Sequence, residues 1–276
     1  DPEGTEMIFN YFDKILNPII DIKYAIDKKR LVNYEYFPEF VLLNEIEEND
    51  WLDLTKKISK YISRDEKLID LSDPILKYLL ITRSRIAKKA NNKIKYAEKI
   101  IKNFYKDDGK YWLIYCEDED QLQNINQLLI NMGVYPFIYT TKLDGDPKSE
   151  LQAFLNIGGI MLSIRCLDEG IDIPKISHAI ILSSSQNPRQ FIQRRGRVLR
   201  VSENKNKAVV YDCLVKPNNV ANIEKFNTLV VSEIKRSIEF SKDALNKRFA
   251  LSYLRSGLIK LGIDPDANLN LDEEDE

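Results

Sequence analysis

The amino-acid sequence predicts an α/β fold: a parallel β-sheet with helices on both faces, preceded by helical insertions and followed by a C-terminal helical extension. Three observations carry that expectation. From Lys110 onward, short apolar runs alternate with segments of helical periodicity, as in strands joined by crossover helices. The runs, such as Y-W-L-I-Y-C at Tyr111–Cys116, are apolar at successive positions, which suits strands covered on both faces. The stretches on either side, 47–106 and 217–263, carry helical spacing with many charges, so further helices flank the sheet.

In chain order, Asp1-Pro-Glu-Gly-Thr reads as a loop, Glu6–Ile15 as a short helix and Asp21–Arg30 as another. A strand follows from Tyr34 to Leu43, with a break expected at Pro38, which cannot donate to a ladder. Glu47–Ile62 has helical spacing at Trp51, Leu54, Ile58 and Tyr61. Asp73-Pro74 is a helix start and opens one long helical region to about Tyr105. Then come strand Tyr111–Cys116, helix Glu119–Asn131 ended by Gly133, strand Val134–Tyr139, and helix Pro147–Asn156 ended by Gly158-Gly159. Ile160–Ile164, Ile176–Leu182 and Ala208–Val215 complete the sheet. Beyond Pro217, Ile223–Ala250 and Leu251–Leu261 read as helices, and 264–276, with seven acids and no base, as a solvated tail.

Net charge is −2 over 276 residues, so attraction to nucleic acid must come from local patches. The stretch 83–110, with ten Lys/Arg against three acids, is one candidate. Cys116, Cys166 and Cys213 are far apart without CxxC spacing, and His178 is the single histidine. A metal site or disulfide framework is therefore not expected, and a reducing cytoplasm suits the chain. The cysteines lie in or beside apolar runs as small hydrophobes, and His178, opening H-A-I-I-L, reads as structural. No apolar run approaches the roughly 18 residues that span a bilayer.

The richest stretch chemically is Asn187–Arg200, N-P-R-Q-F-I-Q-R-R-G-R-V-L-R. Asn187-Pro188 is an N-cap followed by a first-turn proline. At about 100° per residue, Gln193, Arg197 and Arg200 share one helix face. Phe191, Ile192, Val198 and Leu199 form the opposite, buried face. Converging guanidiniums repel one another unless an anion sits opposite, and their planar forks suit phosphate oxygens. Upstream, strand Ile160–Ile164 is followed by R-C-L-D-E-G-I-D-I-P. There Gly170 permits close backbone approach, and the Asp172 carboxylate could accept from a ribose hydroxyl. Both segments are expected at the carboxyl rim of the sheet, where such folds bind ligands.

Gln193 to Arg200, Q-R-R-G-R-V-L-R, resembles motif VI of superfamily 2 helicases and translocases, and Leu167–Pro174 resembles motif V. The similarity is to the DEAH-type DNA enzymes of excision repair and restriction or phage defence. Tyr111–Cys116 is similar to motif IV, and Tyr139-Thr140-Thr141 to a phosphate-contacting segment. The resemblance implies a second RecA-like lobe over 33–216, including the helical region 47–106, with 1–32 as a remnant of the first lobe or linker. It implies that Arg197 and Arg200 reach the terminal phosphates of ATP, with Gln193 near the γ-phosphate and Gly170 and Asp172 near nucleotide and nucleic acid. Thr140, Thr141, Ser163 and Arg165 are the implied nucleic-acid contacts. The sequence departs from the pattern at Ile164, where a DNA-contacting threonine is usual. No G-x-x-x-x-G-K-[ST] loop occurs, and no D-E-x-[HD] box follows a strand. The expectation is thus a fragment, inactive alone, with ATP and Mg2+ bound mainly by an absent first lobe. That lobe would lie upstream in the parent chain or on a separate subunit. Nucleic acid, DNA by resemblance, is the expected partner, with restriction or repair proteins beside it. Two alternatives stay open: a non-catalytic nucleic-acid-binding scaffold, and the motor subunit of a restriction or phage-defence complex.

Overall fold

Among the described residues, six strands, all parallel, form one sheet in the order β1-β6-β5-β2-β4-β3. They are β1 (Asn33–Leu42), β2 (Tyr111–Cys116), β3 (Phe137–Tyr139), β4 (Gly159–Ile164), β5 (Ile176–Ile181) and β6 (Lys207–Lys216). The structure, a computed structural model, describes residues 6–7, 10–11, 21–64, 73–140, 147–164, 173–183, 196–219 and 223–265. Its helices are α1 (Ile22–Asp27), α2 (Glu45–Arg64), α3 (Pro74–Lys89), α4 (Asn92–Phe104), α5 (Glu119–Asn131), α6 (Pro147–Ile157), α7 (Ile223–Ser241) and α8 (Lys247–Lys260). The expected tail at 266–276 lies outside the described residues, as does most of the segment expected as helix Glu6–Ile15.

Alternation along each strand divides the core in two. Trp112, Ile114 and Cys116 of β2 pack with α2, α4, α5 and α7 on one face. Leu113 and Tyr115 pack with α1, α6 and the start of α8 on the other. Burial of both faces explains why the strands read as unbroken apolar runs. Cys116 and Cys213 are buried, and desolvation holds both thiols up, that of Cys213 to about 12.

Three departures from the sequence reading have a tertiary cause, besides shifts of element ends such as the strand expected from Val134, which begins at Phe137. β1 runs straight through Pro38, because β1 is an edge strand and its even-numbered N–H groups point away from β6. Tyr36 N–H donates to Asn246 Oδ1 (2.8 Å) and Phe40 N–H to the Tyr253 hydroxyl (3.2 Å), so the N–H that Pro38 lacks falls on the outer side. Asn246 also donates to Tyr36 O (2.8 Å), and α8 covers an edge that would otherwise template aggregation. The long helical region expected from Pro74 is made of two helices, because Ala90 is extended (φ −46, ψ 125) and Glu47 Oε1 takes the N–H of Asn91 (2.8 Å). The C-terminal helical run likewise breaks between Ser241 and Lys247, where Leu245 N–H donates to Tyr34 O (2.8 Å).

The α8 seal depends on close approach at Gly257. A Cβ there would stand 2.1 Å from Phe40 Cε2, and Phe40 is held between the Tyr253 ring and the Lys216 ammonium. Gly257→Ala is expected to lower unfolding stability in urea by about 1–3 kcal/mol. Adding Phe40→Ala should recover part of that loss.

His178 stacks on Trp112 with ring centroids 4.2 Å apart, its Nδ1 2.9 Å from Ser177 Oγ. Burial, reinforced by the Lys110 charge, pulls its pKa from 6.5 down to about 4. Between those values the unfolded chain binds the extra proton, so stability falls as pH falls from about 6.5 to about 4. His178→Asn is expected to flatten the difference between urea midpoints at pH 7 and pH 5.

Candidate functional site

In a parallel sheet, a connection leaving the carboxyl end of one strand must return to the amino end of the next. The segment between β5 and β6 obeys this, which corrects the placement at the carboxyl rim for its described end. Residues 196–198 are helical, Leu199 turns, and Arg200 forms an antiparallel bridge with Leu31, just before the amino end of β1. Arg200 thus lies past the helix end, and helical spacing does not set its direction relative to Arg197. Gln193, the third member of the expected face, lies outside the described residues.

Around the two arginines the backbone is fixed. Val198 and Leu199 are buried in the sheet core, and Leu199 O accepts from Val32 N–H at 2.8 Å. The side chains of Arg197 and Arg200 are half-buried. The apolar half of the expected amphipathic pattern is therefore present at Val198 and Leu199. The two guanidiniums sit on a backbone that the core immobilises.

At the carboxyl ends of β2 and β5 a second polar cluster forms. Glu117 is buried, accepts from Ser183 Oγ and lies 3.5 Å from Lys88 Nζ. The Lys93 ammonium, 1% exposed, donates to Leu182 O at 2.6 Å and fixes the point where the chain leaves β5. Sequence reading missed Lys93, because it sits among surface-type lysines and only the packing of α4 turns it inward.

Of the proposed nucleic-acid contacts, Thr140 and Ser163 are buried at 4% and 1% exposure, so neither is presented to solvent. Ser163 sits in register between Tyr115 and Tyr139, facing inward. Thr141, Arg165, Gly170 and Asp172 lie outside the described residues. Half of the ten basic side chains of the stretch 83–110 are paired with carboxylates within the chain. Lys88, Lys89, Lys99, Lys102 and Lys110 pair with Glu117, Asp118, Glu39, Glu98 and Asp108, and Arg83 lies over the Trp51 ring. These lysines serve as a paired helix surface more than as a phosphate track.

Comparison with known proteins bears on the fold and the domain. Residues 92–202 match the model of the helicase conserved C-terminal domain. The DNA 3'-5' translocase XPB2 of Sulfurisphaera tokodaii is 23% identical over 218 residues, 72% of this chain and 48% of that one. The chain spans less than half the length of the curated relatives it matches. Among solved structures, the C-terminal part of the Fun30 ATPase domain superposes with a TM-score of 0.52 at 14% identity, covering 84% of this chain and 98% of that one. The Sulfolobus solfataricus SWI2/SNF2 ATPase core, solved in complex with dsDNA, gives 0.52 at 15% identity, covering 80% and 49%. Both share the fold. Residues 92–202 thus match a helicase conserved C-terminal domain, set in an α/β fold that the chain shares with the Fun30 and SWI2/SNF2 structures.

Proposed function

We propose that this lobe is the arginine-bearing half of an ATP-dependent nucleic-acid motor whose other half binds most of the nucleotide. One observation carries the reading: Arg197 and Arg200 stand half-buried on a backbone held by the core and by Val32. Fixed guanidiniums suit phosphoryl transfer, where positioned charge supplies most of the catalysis. Arg197 and Arg200 would face the terminal phosphates of ATP, with Gln193, Gly170 and Asp172 nearby by resemblance. The donors here are guanidiniums and not carboxylates, so they fit phosphates; the ligands of Mg2+ are assigned to the first lobe. Bound there, Mg2+ would neutralise phosphate charge.

In this reading, the first RecA-like lobe belongs to the same parent protein or a partner subunit. Closure of the two lobes brings Arg197 and Arg200 to the substrate, and reopening shifts one lobe against the other along a bound strand. DNA is the proposed track, because the translocase relative named above acts on DNA. A repair or restriction complex is the proposed setting. The test is ATP turnover by the parent protein with and without duplex DNA or RNA. DNA stimulation that declines steeply with salt is expected, together with no turnover by the isolated lobe. Turnover by the lobe alone would overturn the assignment of half a site.

A further inference from the structure

We propose that Lys205 is a positioning residue for the arginine segment, fixing through its ammonium where Arg197 and Arg200 stand. The proposal rests on the functional reading above. Lys205 Nζ donates to Val198 O at 2.7 Å, Arg200 O at 2.8 Å and Pro174 O at 2.9 Å. An ammonium has three donors, and here all three meet backbone carbonyls.

The choice of carbonyls gives the residue its role. Val198 and Arg200 flank the turn that ends the arginine helix, where orphan carbonyls favour a cation. With Leu199 O taken by Val32, the carbonyls of 198, 199 and 200 are all engaged. Pro174 closes the segment that resembles motif V, so one ammonium joins the ends of both nucleotide-facing segments. Among the described residues it forms no ion pair with a carboxylate, so its bonding is spent on these carbonyls.

A tight turn delivers the side chain. Lys205 N–H donates back to Ser202 O at 3.2 Å, and Asn204 takes the left-handed conformation (φ 63) that asparagine tolerates well. The turn brings the lysine under the helix end before β6 starts at Lys207. Desolvation holds its pKa down, to about 8, consistent with an ammonium drawn inside.

The test uses the full parent protein with MgATP and duplex DNA. Lys205→Met keeps the apolar stem and removes all three hydrogen bonds. It is expected to lower kcat tenfold or more while KM for ATP moves less than about twofold. Lys205→Gln, which keeps an NH2 group, should recover part of kcat and serves if the methionine variant folds poorly. The decisive readout is a double-mutant cycle with Arg197→Ala, since residues acting through one device are strongly non-additive. If Lys205 works through the arginines, its substitution costs little further in the Arg197→Ala background. An equal loss in both backgrounds, or unchanged kcat in both lysine variants, would overturn the positioning role. Unchanged turnover in Arg197→Ala alone would instead overturn the functional reading, and this proposal with it.

Discussion

Arg197→Ala in the parent protein is expected to lower DNA-stimulated ATP turnover by about 10³-fold or more, the usual range for removing an arginine finger. The substitution removes charge without disturbing the core, because the buried work of this segment is done by Val198 and Leu199. The backbone bond from Val32 to Leu199 does not involve the Arg197 side chain. Thermal stability should therefore change little, and KM for ATP should move much less than kcat, as expected of an interaction that strengthens in the transition state. Arg197→Lys separates charge from geometry. A lysine keeps the positive charge but loses the planar fork that grips two phosphate oxygens, so it should restore only a minor part of kcat. Arg200→Ala tests the second arginine, whose backbone is held by its bridge to Leu31 whatever the side chain. Steady-state ATPase assays with each variant check all three, and wild-type turnover in Arg197→Ala would refute the finger assignment.

Much of the sheet was legible because burial on both faces leaves a plain mark, an apolar run of strand length. The helix boundaries were less legible where tertiary bonds decide them. Nothing local in the spacing from Pro74 to Tyr105 requires a break, and it is Glu47, over forty residues away, that engages Asn91 there. Pro38 misled for a related reason, since its effect depends on which strand lies at the edge. For the site, periodicity identified Val198 and Leu199 as the buried half of the arginine segment, while Arg200 escaped it by lying past the helix end. Lys205 was invisible in sequence, where S-E-N-K-N-K looks like a solvated loop. Only the return from β5 to β6 brings that lysine beneath three carbonyls.

Arg236→Met is expected to cost about 3–5 kcal/mol of stability, the range for breaking a buried ion pair by removing one partner. The Arg236 guanidinium bridges Asp212 and Glu233, with side-chain exposure of 6%, 0% and 7% for the three groups. Asp212 Oδ2 also lies 2.8 Å from the Tyr36 hydroxyl, and Glu233 Oε2 accepts from Val215 N–H at 3.2 Å. The network thus ties α7 to both edge-side strands, β1 and β6, and its collapse should loosen the helical extension first. Methionine fills much of the same volume, so the loss should come from two carboxylates left without their cation. A pH series distinguishes this from a packing defect. Burial already raises the Asp212 pKa in the intact network, and loss of the arginine, which lowers it, raises it further. A carboxyl whose folded pKa exceeds its unfolded value binds more protons when folded, so stability falls as pH rises above about 3.8. The deficit of Arg236→Met in urea unfolding should therefore be smaller at pH 5 than at pH 8. The double variant Asp212→Asn/Arg236→Met should regain part of it at both. A deficit independent of pH would mean that the arginine serves chiefly to fill space.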